Sequence, residues 1–279
     1  MARNRRRSAE PNNSFKSVLG LLLATIGLLV IGVGGYFYVG SREKSLDANG
    51  CPVSAGDSPE HIVILVDLTT PFDEGQMISL EGFKEKVFSE IKQYSRFVLY
   101  TLNSGTIAKS DKIIEVCSPG NPNNINQWTQ TQKRVQQRWR DQFDARIVRE
   151  LKNLQNAKGG STSEILASIK IVSQLEFVTP KAQRTKFIVI SDFIENSPHL
   201  ISMYKGYIPT FGELRNAHGD KYLVSRLEGV ETTFLVVDNE PRIQVQDSFK
   251  RFWAEYATRN GSLNSNGDPG LDFRNFTRY

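Results

Sequence analysis

Short apolar runs that stop at an acid, separated by helical stretches, constrain this chain more than any other feature. Ile62–Asp67 is followed by a helical pattern over Met77–Tyr94, with Ile78, Phe83, Val87, Phe88 and Ile91 apolar. Arg96–Leu102 and the shorter Lys112–Val116 come next, then a turn-rich loop over Cys117–Ile125. Gln127–Asn156 and a segment opening at Ser161 and running to about Leu175 have helical spacing. Lys186–Ser191 runs into Asp192, Thr232–Val237 runs into Asp238, and Gln244–Thr258 is amphipathic. Strands alternating with helices predict an α/β fold: a doubly wound, mostly parallel sheet with helices on both faces. The near-continuous apolar runs FIVI and FLVV agree, because such strands are buried on both sides.

The chain ahead of this pattern has a different character. Residues 18–40 carry no charge over about 23 positions, enough to cross a bilayer as one helix, with Tyr36, Phe37 and Tyr38 at one end. Arg3, Arg5, Arg6, Arg7 and Lys16 precede it, so the positive-inside rule predicts a cytoplasmic N-terminus and an extracytoplasmic remainder. A cleaved signal peptide has a shorter apolar region, and no lipoprotein pattern surrounds Cys51. The expected layout is a basic tail at 1–17, a transmembrane helix at 18–40, a linker at 41–60, a domain at 61–259 and a tail at 260–279. The expected location is a bacterial inner membrane, single-pass, with the domain in the periplasm. Gly20, Ala24, Gly27 and Gly34 form a small-residue seam on which a second helix could pack, although glycine is also common in spans that have no partner.

The net charge of +5 is concentrated in the tail, and residues 41–279 sum to about +1. That balance argues against nucleic acid as a partner, since its recognition needs a concentrated basic face. Cys51 and Cys117 are the only cysteines. Outside the cytoplasm they can oxidise to a disulfide; the alternative is two buried thiols. His61, His199 and His218 lie far apart, with no zinc spacing.

Three segments place oxygen atoms at a strand end or helix start: Asp67-Leu68-Thr69-Thr70-Pro71, Gly159-Gly160-Ser161-Thr162-Ser163, and Ser191-Asp192-Phe193-Ile194-Glu195-Asn196. Their order and spacing resemble the von Willebrand factor A (vWA) domain over roughly residues 62 to 256. In that family an Asp-x-Ser/Thr-x-Ser loop, a threonine after a glycine pair and a strand-terminal aspartate hold a metal ion for adhesion. The resemblance implies Asp67, Thr69, Thr162 (or Ser161) and Asp192 as ligands of Mg²⁺, with Mn²⁺ or Ca²⁺ as alternatives, and a protein partner bound at the strand-tip loops. Oxygen donors of this kind suit a hard cation. Pro71 stands where the family has its second hydroxyl, and Phe193 stands where it has glycine, so the site departs from the pattern; Thr70 and Asp73 are the nearby residues able to compensate.

Competing readings are weaker. Ser161-x-x-Glu164 is also a capping box that satisfies free N–H groups at a helix start. No phosphate-loop pattern or nucleophile elbow is present. A phosphatase of the aspartate-nucleophile kind lacks its second acid, because Thr69 occupies that place. The aromatic face of Gln244–Thr258 reads as core packing. The expectation is a binding or scaffolding protein, not an enzyme. Its alternatives are the same fold with a dead metal site, or a metal-dependent phosphohydrolase.

Overall fold

A computed structural model describes residues 23–35, 45–107, 111–121 and 132–276. The chain divides into two compact units, residues 1–44 and 45–279. In the first, residues 23–35 are helical. They are the middle of the apolar stretch 18–40, whose two ends, Gly20 included, lie outside the described residues. Among the described residues no helix is long and apolar enough to cross a membrane. A side chain at Gly27 or Gly34 would meet nothing within 4 Å.

The second unit begins at Ser45, not at residue 61. Gly50 and Pro52 mark turns that are packed on the sheet. The Asp47 carboxylate accepts the N–H groups of Asn49 and Cys51 at 2.8 and 2.9 Å. The Cys117 N–H donates to the Asn49 carbonyl at 3.0 Å. Cys51 and Cys117 form a disulfide that staples the start of the unit to the third strand.

Six strands form one sheet: β1 (Glu60–Asp67), β2 (Arg96–Leu102), β3 (Lys112–Cys117), β4 (Arg184–Ser191), β5 (Glu231–Val236) and β6 (Asp272–Asn275), in the order β3-β2-β1-β4-β5-β6. All neighbours are parallel except β2 and β3. The short β2–β3 connection dictates that exception, since a parallel return needs a long crossover. β6 falls in the region expected to be a tail. Its sequence DFRN carries no apolar run, and it is a strand because Phe273 and Arg274 pair with Phe234 and Leu235 of β5.

Helices cover both faces. Among the described residues of this unit the α- and π-helical segments are α1 (Glu74–Glu90), α2 (Gln132–Arg138), a π-helical segment (Trp139–Asp144), α3 (Ala145–Leu154), α4 (Ile165–Glu176), α5 (Phe211–His218), α6 (Pro241–Gln244) and α7 (Asp247–Arg259). One core layer packs α4, α5 and α7 on Val63, Leu65, Val189 and Phe234. The aromatic stripe of α7 lies inside it, with Phe249, Phe252, Trp253 and Tyr256 buried. The other layer packs Leu80 and Phe83 of α1, and Ile147 of α3, on Ile62, Ile64 and Val66. α1 starts earlier than its apolar pattern because Asp73 caps it, accepting the Gln76 N–H at 2.7 Å.

Candidate functional site at the strand tips

Strand order reverses at β1, with β2 on one side and β4 on the other. In open α/β sheets a crevice opens at this point, outside the carboxyl ends of the strands. β1 ends there in Asp67, and β4 ends in Ser191 with Asp192 next.

Asp67 is 5 % exposed, and both of its oxygens are engaged. Oδ1 accepts the Thr69 N–H at 3.0 Å and the Thr69 hydroxyl at 2.7 Å. Oδ2 accepts the Ser163 hydroxyl at 3.0 Å and the Ser191 hydroxyl at 2.8 Å. One carboxylate thus ties all three segments together. Asp192 lies beside it: Oδ1 accepts the Ile194 N–H at 2.9 Å, and Oδ2 meets Asn239 at 3.3 Å and the Tyr204 hydroxyl at 3.4 Å. Burial, with the nearby Asp67 charge, pushes the Asp192 carboxyl up to about 7. Two acids are held at one tip, and none of the side chains hydrogen-bonded to them is a cation.

The two glycines set how closely the segments approach. Gly159 has φ +74°, and a side chain there would lie 2.8 Å from the Thr69 carbonyl and 3.0 Å from Pro71. A side chain at Gly160 would come within 2.4 Å of the Asn103 carbonyl. The Gly160 N–H donates to Thr69 O at 2.8 Å. Pro71 therefore packs against Gly159 where the family pattern has a hydroxyl. Asp73 caps α1, so its carboxylate is committed to the helix.

Thr162 and Ser163 divide the work differently from the sequence expectation. The Thr162 hydroxyl accepts the Gly105 N–H at 3.1 Å, while Ser163 reaches Asp67. Ser163 also exchanges backbone hydrogen bonds with Asn196, at 3.0 and 2.9 Å, which lock the second segment to the third. The capping box does not form. α4 begins at Ile165, and Glu195 from the third segment caps it by accepting the Leu166 N–H at 2.9 Å. Burial pushes the Glu195 carboxyl up to about 8.

Phe193 takes φ +58°, a left-handed conformation that glycine adopts freely and that strains other residues. Its ring compensates. It stacks on Phe234 with centroids 4.5 Å apart and meets Trp253 edge-on, and its carbonyl accepts the Trp253 indole N–H at 3.2 Å. Phe193 thus holds the left-handed turn as an aromatic plug in the core.

Sequence reasoning identified Asp67, Thr69 and Asp192, and the structure brings them to one tip. It missed Ser163, Ser191, Tyr204 and Asn239. Ser191 was legible as the residue before a strand-terminal acid. Tyr204 had no signal: it lies in a short 3₁₀ helix, Met203–Lys205, after β4 and reaches back to Asp192. Burial and the Asp192 charge push its hydroxyl up to about 12.

Among the described residues no group of three or more His, Cys, Asp or Glu side chains could hold a metal. A cation would need the hydroxyls. Thr69 and Ser163 each donate their proton to Asp67 and, among the described residues, accept no hydrogen bond at that oxygen. Their lone pairs and the Asp192 carboxylate form a small set of hard donors, which fits Mg²⁺ in kind, with Pro71 withholding one oxygen. A cavity of about 300 Å³ lies elsewhere, at the amino ends of the strands. Some of the charges lining it are paired within the chain, as in Lys186–Glu60 at 3.0 Å.

No protein-family model and no curated protein sequence matches the chain. Similar solved structures include the ArnB paralog VWA2 from Sulfolobus acidocaldarius, at 12 % identity and TM-score 0.40, over 82 % of this chain and 45 % of that one. The conserved hypothetical protein BatB from Bacteroides thetaiotaomicron is similar at 13 % identity and TM-score 0.30, over 63 % of this chain and 66 % of that one. An aerotolerance-related membrane protein from Bacteroides fragilis is similar at 9 % identity and TM-score 0.35, over 77 % and 90 %. The chain spans less than half the length of VWA2. These likenesses concern the course of the chain and add nothing to the chemistry of the tips.

Proposed function

We propose that this chain is a membrane-anchored, vWA-like binding module, not an enzyme, whose strand-tip loops engage a protein partner with the help of a Mg²⁺-type cation. The observation that carries the reading is the pair Asp67 and Asp192: two carboxylates at one tip whose side-chain partners are all neutral. Thr69 and Ser163 would hold the ion with Asp192, while Asp67 orients both hydroxyls. Thr162 has its hydroxyl on the Gly105 N–H and takes the more peripheral part. The uncharged stretch 18–40 supplies the bilayer anchor, with the small-residue seam through Gly27 and Gly34 free to pack on a second helix. The Cys51–Cys117 disulfide supports an oxidising compartment for the domain, as expected of the periplasmic side of an inner membrane.

The test is Mn²⁺ titration of the full chain in detergent, followed by electron paramagnetic resonance. Binding of one ion, displaced by Mg²⁺ and absent from Asp67→Ala, supports the reading. No binding at millimolar Mn²⁺ leaves a cation-free scaffold, which the packing of Pro71 on Gly159 specifically favours. The orientation has its own measurement: an inactive alkaline phosphatase fused at the C-terminus would reverse it.

A further inference from the structure

Residues 45–279 hold 28 basic and 28 acidic side chains, yet their charge is unevenly spread. Residues 132–158 hold eight Lys and Arg against three Asp and Glu. Residues 132–154 of this span form one helical rod: α2, the π-helical segment and α3. At ~1.5 Å per residue, its 23 residues extend roughly 34 Å. Val135, Phe143, Ile147 and Leu154 face the core, which leaves Lys133, Arg134, Arg138, Arg140, Arg149 and Lys152 exposed.

Several arginines elsewhere on the domain are paired with acids. Arg184 pairs with Glu231 at 2.8 Å, Arg215 with Asp220 at 2.7 Å and Arg259 with Glu255 at 2.8 Å. Of the six on the rod, only Arg149 has an acidic partner among the described residues, its sequence neighbour Glu150 at 3.1 Å. Unpaired like charges along one helix repel and do nothing for folding. They attract an anionic surface instead.

We infer that the exposed face of this rod docks on an anionic phospholipid bilayer. The inference rests on the anchor reading above, because the stretch 18–40 would keep a bilayer within reach. The rod exposes no large apolar side chain among its described residues, so it lacks the buried anchors of a protein–protein hot spot. Single charges spaced a turn apart, as at Arg134 and Arg138, suit mobile headgroups. The disulfide argues for a compartment where nucleic acid is not the available polyanion.

The experiment uses the full chain in nanodiscs of phosphatidylcholine, with and without phosphatidylglycerol. Cys51 and Cys117 are joined, so Gln137→Cys gives a single labelling site on the rod. Energy transfer from a dye there to headgroup-labelled lipid is expected to be higher in the anionic discs. It falls to the neutral level at high salt and in R134Q/R138Q/R149Q/K152Q, whose fold is checked by its melting curve. Equal transfer in both compositions overturns the inference. So does composition-independent transfer combined with a salt-sensitive dye response to polyglutamate, which would assign the face to an acidic protein. If the chain does not incorporate into discs, the anchor reading fails by itself. The labelled chain is then mixed with vesicles of the same two compositions. Anionic-selective binding, weakened by on the order of a hundredfold or more in the quadruple variant, upholds lipid docking, and its absence overturns it.

Discussion

β1 and α4 meet at both ends of the sheet, and each meeting buries a carboxylate. At the base, His61 opens the strand side and Glu176 ends α4. At the tip, Asp67 ends β1 and Ser163 precedes α4. Glu176 is surrounded by cations: Lys112 at 2.7 Å and Lys181 at 2.5 Å, with Tyr100 donating at 2.7 Å, and His61 Nε2 lies 3.3 Å away. Burial alone would raise its pKa, but these partners hold the carboxyl well below the usual range. Asp67 is equally buried and receives three hydroxyls and one N–H. The first acid has its charge cancelled within the chain. The second keeps an uncancelled charge beside Asp192. A buried carboxylate compensated internally holds a fold together, whereas one left to neutral donors is suited to receive a cation from outside.

The sharpest way to break that contrast is Glu176→Ala. It removes the buried partner of Lys181 and Lys112, leaving Lys112 only Glu115 at 3.0 Å, and is expected to lower unfolding free energy by about 3–5 kcal/mol in urea. Mn²⁺ affinity of the surviving folded fraction stays unchanged. Asp67→Ala leaves hydroxyls and an N–H without their acceptor, an expected loss of about 1–3 kcal/mol, and it removes Mn²⁺ binding altogether. If Asp67→Ala proved the more destabilising of the two, the division between structural and binding carboxylates would be wrong.

A smaller effect comes from His61, which is fully buried. Burial lowers its pKa against the opposing pull of Glu176, so it is neutral in the folded chain. A group whose folded pKa lies below its unfolded value of about 6.5 contributes fully above that pH and loses its contribution as pH falls below it. Melting temperatures measured downward from pH 7.5 should therefore decline through this window, and His61→Phe should flatten the decline. The tip sharpens the comparison most gently through Tyr204→Phe, which removes only the hydroxyl over Asp192. Its expected cost is about 1 kcal/mol or less in stability, read by the same melts, with a severalfold change in Mn²⁺ affinity.

Much of the fold was legible in local pattern. β1, β2, β4 and β5 are apolar runs, and each appeared within a few residues of its observed bounds. β6 was not legible, because DFRN is a strand only by virtue of its pairing with β5. Residues 45–60 read as a linker because their glycines and prolines mark turns whether or not those turns pack on a sheet. Helix starts shifted for a related reason. Asp73 caps α1 from outside the apolar pattern, and Glu195 caps α4 from a different segment altogether, displacing the local Ser161-x-x-Glu164 box.

The sequence by itself determined that acids and hydroxyls would stand at the carboxyl end of a parallel sheet, since strand period, burial and the position of each acid are local properties. Only the tertiary structure decided which hydroxyl meets which acid. Ser163 and not Thr162 reaches Asp67 because pairing with Asn196 and Gly105 sets the direction of each side chain. Gly159 and Gly160 allow that pairing by letting backbones approach to distances that any Cβ would forbid. Contacts of this kind join residues about 30 to 125 positions apart, and no local pattern encodes them.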